Sequence, residues 1–297
     1  MPSEDPYHAG TYAASFVRGM QEEDGDGHPK MLAFLKHYAV YSQETGRGSD
    51  SENVSQFDLF DTYLPQYEIA FTAGATGAMC SYNSPLGQPS CANGFLNDVI
   101  RKRWNFSEVL VSTDCGAVTD MKGAPAYGGA HAAAAGLSAD ELVASWAIEN
   151  GTDLEMGSMS FLHGLANATR HGLTSEATIT RAARRTLLPL FRAGRFDSLQ
   201  SVEWSSFNAS TVGAPLHLQI RDEAALQSFV LLKNEKHTLP LGPNDRWGAA
   251  AQHIAVLGPQ SSGQGLFSDY FGGEHSQWFP VLFSPLVAIP SDVLAES

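Results

Sequence analysis

The chain has 297 residues, 43% hydrophobic and 17% charged, a globular composition with length for one large domain or two ordinary ones. With 32 acidic against 18 basic residues the formal charge is −14, which opposes nucleic acid and anionic lipid as partners and suits a neutral ligand such as a sugar. No apolar run reaches the roughly 20 residues of a membrane span.

The start Met1-Pro2-Ser3-Glu4-Asp5-Pro6 has neither a basic stretch nor an apolar one, so no signal peptide is visible. Asn-X-Ser/Thr sequons nevertheless stand at Asn53, Asn105, Asn150, Asn167 and Asn208, more than chance supplies, and they point to the secretory pathway or the extracellular space. A shortened N-terminus would reconcile the two signs. Three cysteines are too few for a disulfide scaffold.

Asp5 followed by Pro6 is a helix start, with Tyr12, Ala13, Phe16, Val17 and Met20 marking one apolar face. A helix with no strand before it is an odd opening for a βα repeat. Gln21 to Pro29, rich in Gly and Asp, is a loop. Met31-Leu32-Ala33-Phe34-Leu35 then reads as a buried strand delivering Lys36-His37 at its end, and the polar run Ser42 to Ser55 is a long loop of the kind that usually carries function or disorder. Leu59, Phe60, Tyr63, Leu64, Tyr67, Ala70 and Phe71 form a helical stripe bent at Pro65. Gly77 to Asn83 is the next strand and its loop, followed by a helix carrying Phe95, Leu96, Val99, Ile100 and Trp104.

Val109-Leu110-Val111 is again a buried strand, and it stops on Ser112-Thr113-Asp114. Gly116 lets the backbone turn just past the carboxylate. An acid where a buried parallel strand surfaces is where α/β barrels keep their chemistry, although Asp is also a favoured helix cap and Asp114 could serve as one. A helix around Glu141 to Ile148 leads to Thr152-Asp153-Leu154-Glu155-Met156-Gly157. Two helices follow, the second with Ile179, Ala182, Ala183, Thr186, Leu187, Leu190 and Phe191 in register and a stop near Gly194. Strand, loop and helix thus alternate four times, which predicts a parallel sheet with Lys36, His37, Tyr82, Asp114 and Asp153 on one rim. From Phe196 to Leu216 the pattern breaks into a Ser- and Asn-rich linker. A helix from about Arg221 to Leu232 and a strand His253 to Gly258 then open a second α/β region.

Taken in order, Ser3-Glu4-Asp5-Pro6, Lys36-His37-Tyr38, Met79-Cys80-Ser81-Tyr82-Asn83, Ser112 to Val118 and Gly151-Thr152-Asp153-Leu154 resemble the family 3 glycoside hydrolases. Val230 to Asn234 and Ile254 to Pro259 are similar to the start of that family's second domain. The resemblance implies an α/β fold, the C-terminal half of a (β/α)8 barrel over residues 1–195, a linker over 196–220 and the N-terminal part of an α/β sandwich over 221–297. It also implies hydrolysis of β-linked sugars with retention, Asp114 as the nucleophile, and Lys36, His37, Met79 and Tyr82 lining the glycone pocket. A nearby ammonium and imidazole keep a nucleophilic carboxylate charged and give hydrogen bonds to sugar hydroxyls. Cys115, where many β-glucosidases of the family carry an aromatic residue, points to the β-xylosidase and α-L-arabinofuranosidase branch, as does Ser90-Cys91-Ala92-Asn93. Asp153-Leu154-Glu155-Met156-Gly157 departs from the Asp-Leu-Asp-Cys-Gly common there, which makes xylose specificity less secure than membership.

The family's first barrel strands and its glycone-holding aspartate and arginine have no counterpart before Ser3. Its acid/base glutamate is expected beyond residue 297, since Glu235 and Glu274 sit in no matching context. The chain as given is therefore expected to be nearly inactive and unstable as half a barrel, either a fragment or a remnant. No cofactor is implied. The partner is an oligosaccharide or aryl glycoside, and the oligomeric state is open. The N-acetylhexosaminidase branch is disfavoured because Lys36 to Val40 lacks its Lys-His-Phe-Pro-Gly-His-Gly signature. Ten histidines include no His-x-x-x-His zinc pair, and no Gly-x-Gly-x-x-Gly turn marks a dinucleotide site. Cys80 and Cys91 are spaced to close a disulfide over a turn at Pro85-Leu86-Gly87, leaving Cys115 free.

Overall fold

The computed structural model describes residues 3–48, 50–123, 129–237 and 239. Contacts divide the chain into two compact units, Met1–Thr211 and Val212–Ser297.

The first unit opens with α1 (Pro6–Met20), capped by Asp5, whose carboxylate accepts the Tyr7 and His8 amides at 2.8 and 3.3 Å. The face it buries is Ala9, Gly10, Ala14 and Val17, not the larger residues of the sequence stripe: Tyr12 and Phe16 are 51% and 57% exposed. Small residues win because the helix lies hard against a neighbour, and a Cβ on Gly10 would come within 2.6 Å of Ile69. The strand β1 spans Phe34–Tyr38, three residues later than the apolar run predicts, so Lys36 and His37 lie within it and Met31 is exposed. Gln21, just past α1, explains the delay. Its side-chain oxygen accepts the Ala33 and Thr76 amides at 2.9 and 3.2 Å, which ties residues 31–33 down as the approach to the strand.

A short helix α2 (Gln56–Asp58) runs through one wide turn into α3 (Pro65–Thr72), with the break at Leu64 before the proline. Then come β2 (Gly77–Cys80), α4 (Gly94–Asp98) with a wide turn to Arg103, and β3 (Leu110–Thr113). After these follow α5 (Ala117–Asp120), α6 (Gly129–Ala134), α7 (Ala139–Glu149), α8 (Ser160–Arg170) and α9 (Glu176–Arg192). The sheet is parallel in the order β1-β2-β3, with Gly77 to Cys80 paired in register with Leu110 to Thr113. The fourth predicted strand is reduced to one parallel bridge, Ser112 to Leu154. Helices cover the sheet through a core that includes Leu59, Leu64, Ile100, Val111, Val118 and Val143. This is part of a barrel-type α/β fold. Cys80 and Cys91 are joined by a disulfide with Cα atoms 5.1 Å apart, and Cys115 is free, as the spacing predicts.

Glu155, the residue that departs from the family pattern, has a structural task. Its carboxylate accepts the Ser160 and Phe161 amides at 3.0 and 2.6 Å and the Ser158 hydroxyl at 2.5 Å, capping the start of α8. Glu155→Ala should cost about 0.5–2 kcal/mol, the usual worth of an N-terminal cap. A urea midpoint unchanged from the parent would refute this role.

The start of the Ser- and Asn-rich stretch, as far as Thr211, falls within the first unit. Short turns at Leu199–Ser201, Glu203–Ser206 and Ala209–Thr211 belong to the first unit. They are held by a clasp. His28 sits between Asp24 (Nδ1 to Oδ2, 3.1 Å) and Asp197 (Nε2 to Oδ2, 3.4 Å), while the Trp204 indole donates to the His28 carbonyl at 2.8 Å. The bond to Asp24 raises the imidazole above its ordinary 6.5; burial opposes this and the charges of both aspartates reinforce it. Burial pushes Asp24 up, but the amides of His28, Glu203 and Asp26 and the imidazole outweigh it and bring the carboxyl to about 2. His28, raised, contributes stability below pH 6.5 that is lost as pH rises through its folded value. Asp24, lowered from 3.8, contributes stability that is lost as pH falls towards 2. The clasp should therefore be tightest between about pH 4 and 6.5. Trp204 fluorescence should change on going from about pH 6 to pH 9, and His28→Gln should abolish that step. A step of equal size in the variant would assign it to another group.

In the second unit, α10 spans Pro215–Ser228, earlier than the predicted Arg221 to Leu232. Proline at its first position starts it where the sequence pattern gave no apolar stripe. The predicted strand His253 to Gly258 and Glu274 lie outside the described residues.

Candidate active site

Asp114 emerges at the C-terminal end of β3, beside the ends of β1 and β2. It is not the cap of the next helix: α5 begins after Gly116, and the Asp114 side chain bonds elsewhere. Its Oδ1 accepts the Cys115 amide at 2.8 Å, and its Oδ2 lies 3.1 Å from Nε2 of His37. Gly116 has φ 82°, the left-handed turn the sequence called for. The side chains of His37 and Asp114 are 23% and 13% exposed, so the pair is sheltered yet reachable. Burial lowers the His37 imidazole below its ordinary value; Asp114 pulls it back up, and the charges of Lys36 and Arg47 lower it further. His37 is thus neutral at pH 7. Because a carboxylate only accepts, Nε2 carries the proton and donates it to Asp114.

The second strand supplies Tyr82, whose hydroxyl donates to the Cys115 carbonyl at 2.9 Å. Burial and then the charge of Asp114 hold that phenol well above its ordinary value, so it stays protonated. Met79 is half-buried on β2, opposite Ser112 in register and on the face away from the disulfide-bonded Cys80. Cys115 is exposed at the lip. Gly157 runs close behind it: φ is 71°, and a Cβ there would fall 2.7 Å from that of Cys115. Lys36 is exposed next to His37 and lines cavities of about 450 and 540 Å³ flanking β1.

The run Met79 to Asn83 divides its labour in a way the sequence reading missed. Tyr82 faces the site, whereas Ser81 and Asn83 turn inward. The Asn83 amide donates to the carbonyls of Val40 (2.8 Å) and Ala39 (3.3 Å) and to Glu52 (2.9 Å), and its oxygen accepts from Ser81 at 2.5 Å. Ser90 donates to the Tyr38 carbonyl at 2.6 Å, and Tyr67 to the His37 carbonyl at 2.6 Å. Both ends of the His37 segment are therefore fixed by buried side chains. Tyr41 and Arg47 were also missed. The Tyr41 ring packs on His37 at 4.9 Å and lies 6.3 Å from Tyr82, over which Arg47 sits at 4.9 Å. Their one signal in the sequence is the length of the Ser42 to Ser55 loop.

Asp153 does not share this rim. It accepts the Val111 amide at 3.0 Å and is gripped by Arg101 (2.5 Å) and Arg185 (3.3 Å), which also bond the carbonyls of Val109 and Ser107. Those partners precede or begin β3, so Asp153 fastens the opposite end of the strand from Asp114.

A family profile described as "Glycosyl hydrolase family 3 N terminal domain" matches residues 2–188. A probable exo-1,4-beta-xylosidase of Aspergillus fumigatus is 34% identical over 269 residues, 88% of this chain and 33% of that protein. A beta-xylosidase/alpha-L-arabinofuranosidase of Medicago sativa is 34% identical over 270 residues, 88% of this chain and 33% of that protein. Among solved structures, a GH3 exo-beta-xylosidase in complex with a xylobiose aziridine activity-based probe superposes with a TM-score of 0.72 at 29% identity, over 82% of this chain and 31% of that one. The chain spans about a third of the length of the curated relatives it matches.

Proposed function

The chain belongs to glycosyl hydrolase family 3, and from that premise we propose that it serves the retaining hydrolysis of β-linked xylose residues, with Asp114 as nucleophile. The observation that carries the reading is the contact of Asp114 with a neutral His37 across the C-terminal ends of β3 and β1, the two strands that flank β2 in the parallel sheet. One carboxylate oxygen attacks the anomeric carbon as the bond to the leaving oxygen breaks, and the leaving oxygen takes a proton from a general acid. Water then attacks the same carbon, gives its proton to the deprotonated general acid, frees Asp114 as the carboxylate and restores the original configuration. His37 and the Cys115 amide hold both oxygens of the carboxylate in place throughout. Lys36, Met79 and Tyr82 line the glycone side. The general acid is not assigned to any described residue, so turnover is expected chiefly with aryl glycosides, whose leaving groups depart without protonation.

Residues 1–195 belong in this reading to the C-terminal part of the barrel domain, with the segment to Thr211 packed on it, and residues 221–297 to an α/β sandwich. The sequons and the disulfide support passage through the secretory pathway.

Xylose lacks the hydroxymethyl arm of glucose, and in this reading Cys115, which Gly157 backs closely, fills the space that arm would take. With the exposed Met156 where branch members hold a second cysteine, the wall is soft and glucosides are partly tolerated. The test is kcat/KM on aryl β-xyloside, aryl α-L-arabinofuranoside and aryl β-glucoside. The xyloside should lead the glucoside by roughly 10–100-fold, the reach of one apolar wall. A faster glucoside would overturn the specificity while leaving the nucleophile untouched.

A further inference from the structure

The function proposed above leaves the five sequons unused, and the folded chain sorts them. Asn53, in the loop after β1, and Asn105, in the turn before β3, are both exposed and make no side-chain hydrogen bond among the described residues. Asn105 takes φ 63°, a turn conformation that asparagine tolerates better than other side-chain-bearing residues. Asn208 is exposed, and its Oδ1 accepts the Ser210 amide at 2.9 Å while its amide nitrogen touches only the Ser206 carbonyl, at 3.5 Å.

Asn150 is different on every count. Its Nδ2, the atom a glycan would take, donates to the Trp146 carbonyl at 2.9 Å, and its own carbonyl accepts from Asn97 at 2.6 Å. Its Oδ1 would lie 2.7 Å from a Cβ on Gly94. The sequon hydroxyl, on Thr152, is 0% exposed and donates to the Cys91 carbonyl at 2.7 Å, inside the disulfide loop. Asn167 is half-buried within α8, with its Oδ1 taken by Arg170, Ala168 fully buried and Thr169 donating to Leu165 at 2.9 Å.

We propose that N-linked glycans are carried on Asn53, Asn105 and Asn208, and that Asn150 and Asn167 stay bare. The donor is an oligosaccharide on a polyisoprenyl diphosphate. A bond forms between Nδ2 and the sugar's anomeric carbon, the bond from that carbon to the diphosphate breaks, and Nδ2 loses one proton. A glycan on Asn150 would have to displace Trp146, Asn97 and Gly94 from a packed site, whereas Asn53, Asn105 and Asn208 are exposed and the one amide bond among them, from Asn208 to the Ser206 carbonyl, is long at 3.5 Å. The Asn53 glycan would stand on the segment that holds the site together, since Glu52, its neighbour, accepts from Asn83 and bonds Leu86.

The inference rests on the secretory reading, and the two are tested apart. Residues 1–297 are expressed behind a cleavable signal peptide in a eukaryotic host, so that entry to the secretory pathway is supplied. The secreted protein is then treated with peptide N-glycosidase in heavy-oxygen water and mapped by mass spectrometry. Labelled aspartate is expected at positions 53, 105 and 208, with unmodified Asn150 and Asn167. Label at 150 or 167, or its absence from any of the other three, overturns the assignment. A second readout does not depend on yield of secreted protein: the triple variant N53Q/N105Q/N208Q, recovered from cells, should migrate as the enzymatically deglycosylated chain does. A residual glycosidase-sensitive shift would overturn the proposal. The secretory reading fails separately, if the protein from its natural source carries no glycan while the host-expressed chain carries three.

Discussion

Replacement of Asp114 by asparagine should lower aryl xyloside turnover by on the order of 10⁴–10⁶-fold, the scale on which covalent catalysts lose rate when a member of their catalytic set is removed. The side chain keeps its shape but loses the charge that attacks, and its amide nitrogen would meet the Nε2 proton of His37 or the Cys115 amide, donor against donor. Turnover by the parent is expected to be slow, so a trap makes the sharper measurement. A xylosyl fluoride carrying a second fluorine beside the anomeric carbon forms the glycosyl-enzyme readily and releases it slowly. Its fluoride leaving group needs no proton, which removes dependence on the general acid. The parent should gain one fluoroxylosyl mass on the peptide containing Asp114, and D114N should gain none. A label on any other carboxylate, or equal labelling of the variant, would remove Asp114 from the mechanism. The Asp114 carboxylate bonds the His37 imidazole, the Cys115 amide and the Tyr82 hydroxyl, all at the rim and none in the core, so D114N should lose about 1–2 kcal/mol of stability, far too little to account for the loss of turnover.

Asp153→Asn should act in the opposite sense, unfolding the chain without touching the site. The Asp153 side chain is 2% exposed and lies between guanidiniums that are 10% and 12% exposed. Burial pulls Arg101 down to about 10, still charged at neutral pH, and pushes Asp153 up against the pull of both cations. An asparagine leaves two buried positive charges with no counter-charge, a change that typically costs 3–5 kcal/mol. Set against the roughly 5–15 kcal/mol that keeps a domain folded, this is a large share. Urea unfolding followed by circular dichroism should show it directly. A loss below about 1 kcal/mol would mean that water reaches the two arginines and that the cluster is not the anchor described here.

The contrast between these two aspartates marks the limit of what the chain's order of residues determines. Both stand where a buried strand pattern gives way to polar residues, and both were placed on one rim by that rule. Asp114 belongs there because β3 is a full strand whose pairing with β2 carries it to the C-terminal edge. Asp153 does not, because its segment pairs through one bridge only, so strand alternation never fixes its phase, and two arginines from α9 and the end of the α4 turn claim it at the other edge. Features governed by near neighbours were legible: the Asp5 cap with Pro6, the turn at Gly116, the Cys80–Cys91 bridge. Each needs only a few residues of chain and one backbone conformation. Features governed by distant partners were not. The start of β1 waits on Gln21, the buried face of α1 is set by Ile69, and Asn83 fastens the His37 segment across more than forty residues of chain, at a separation of 43. Apolar periodicity says that a segment is buried, but which atoms it meets is settled by packing and by the pairing of buried polar groups, and those exist only once the chain has closed on itself.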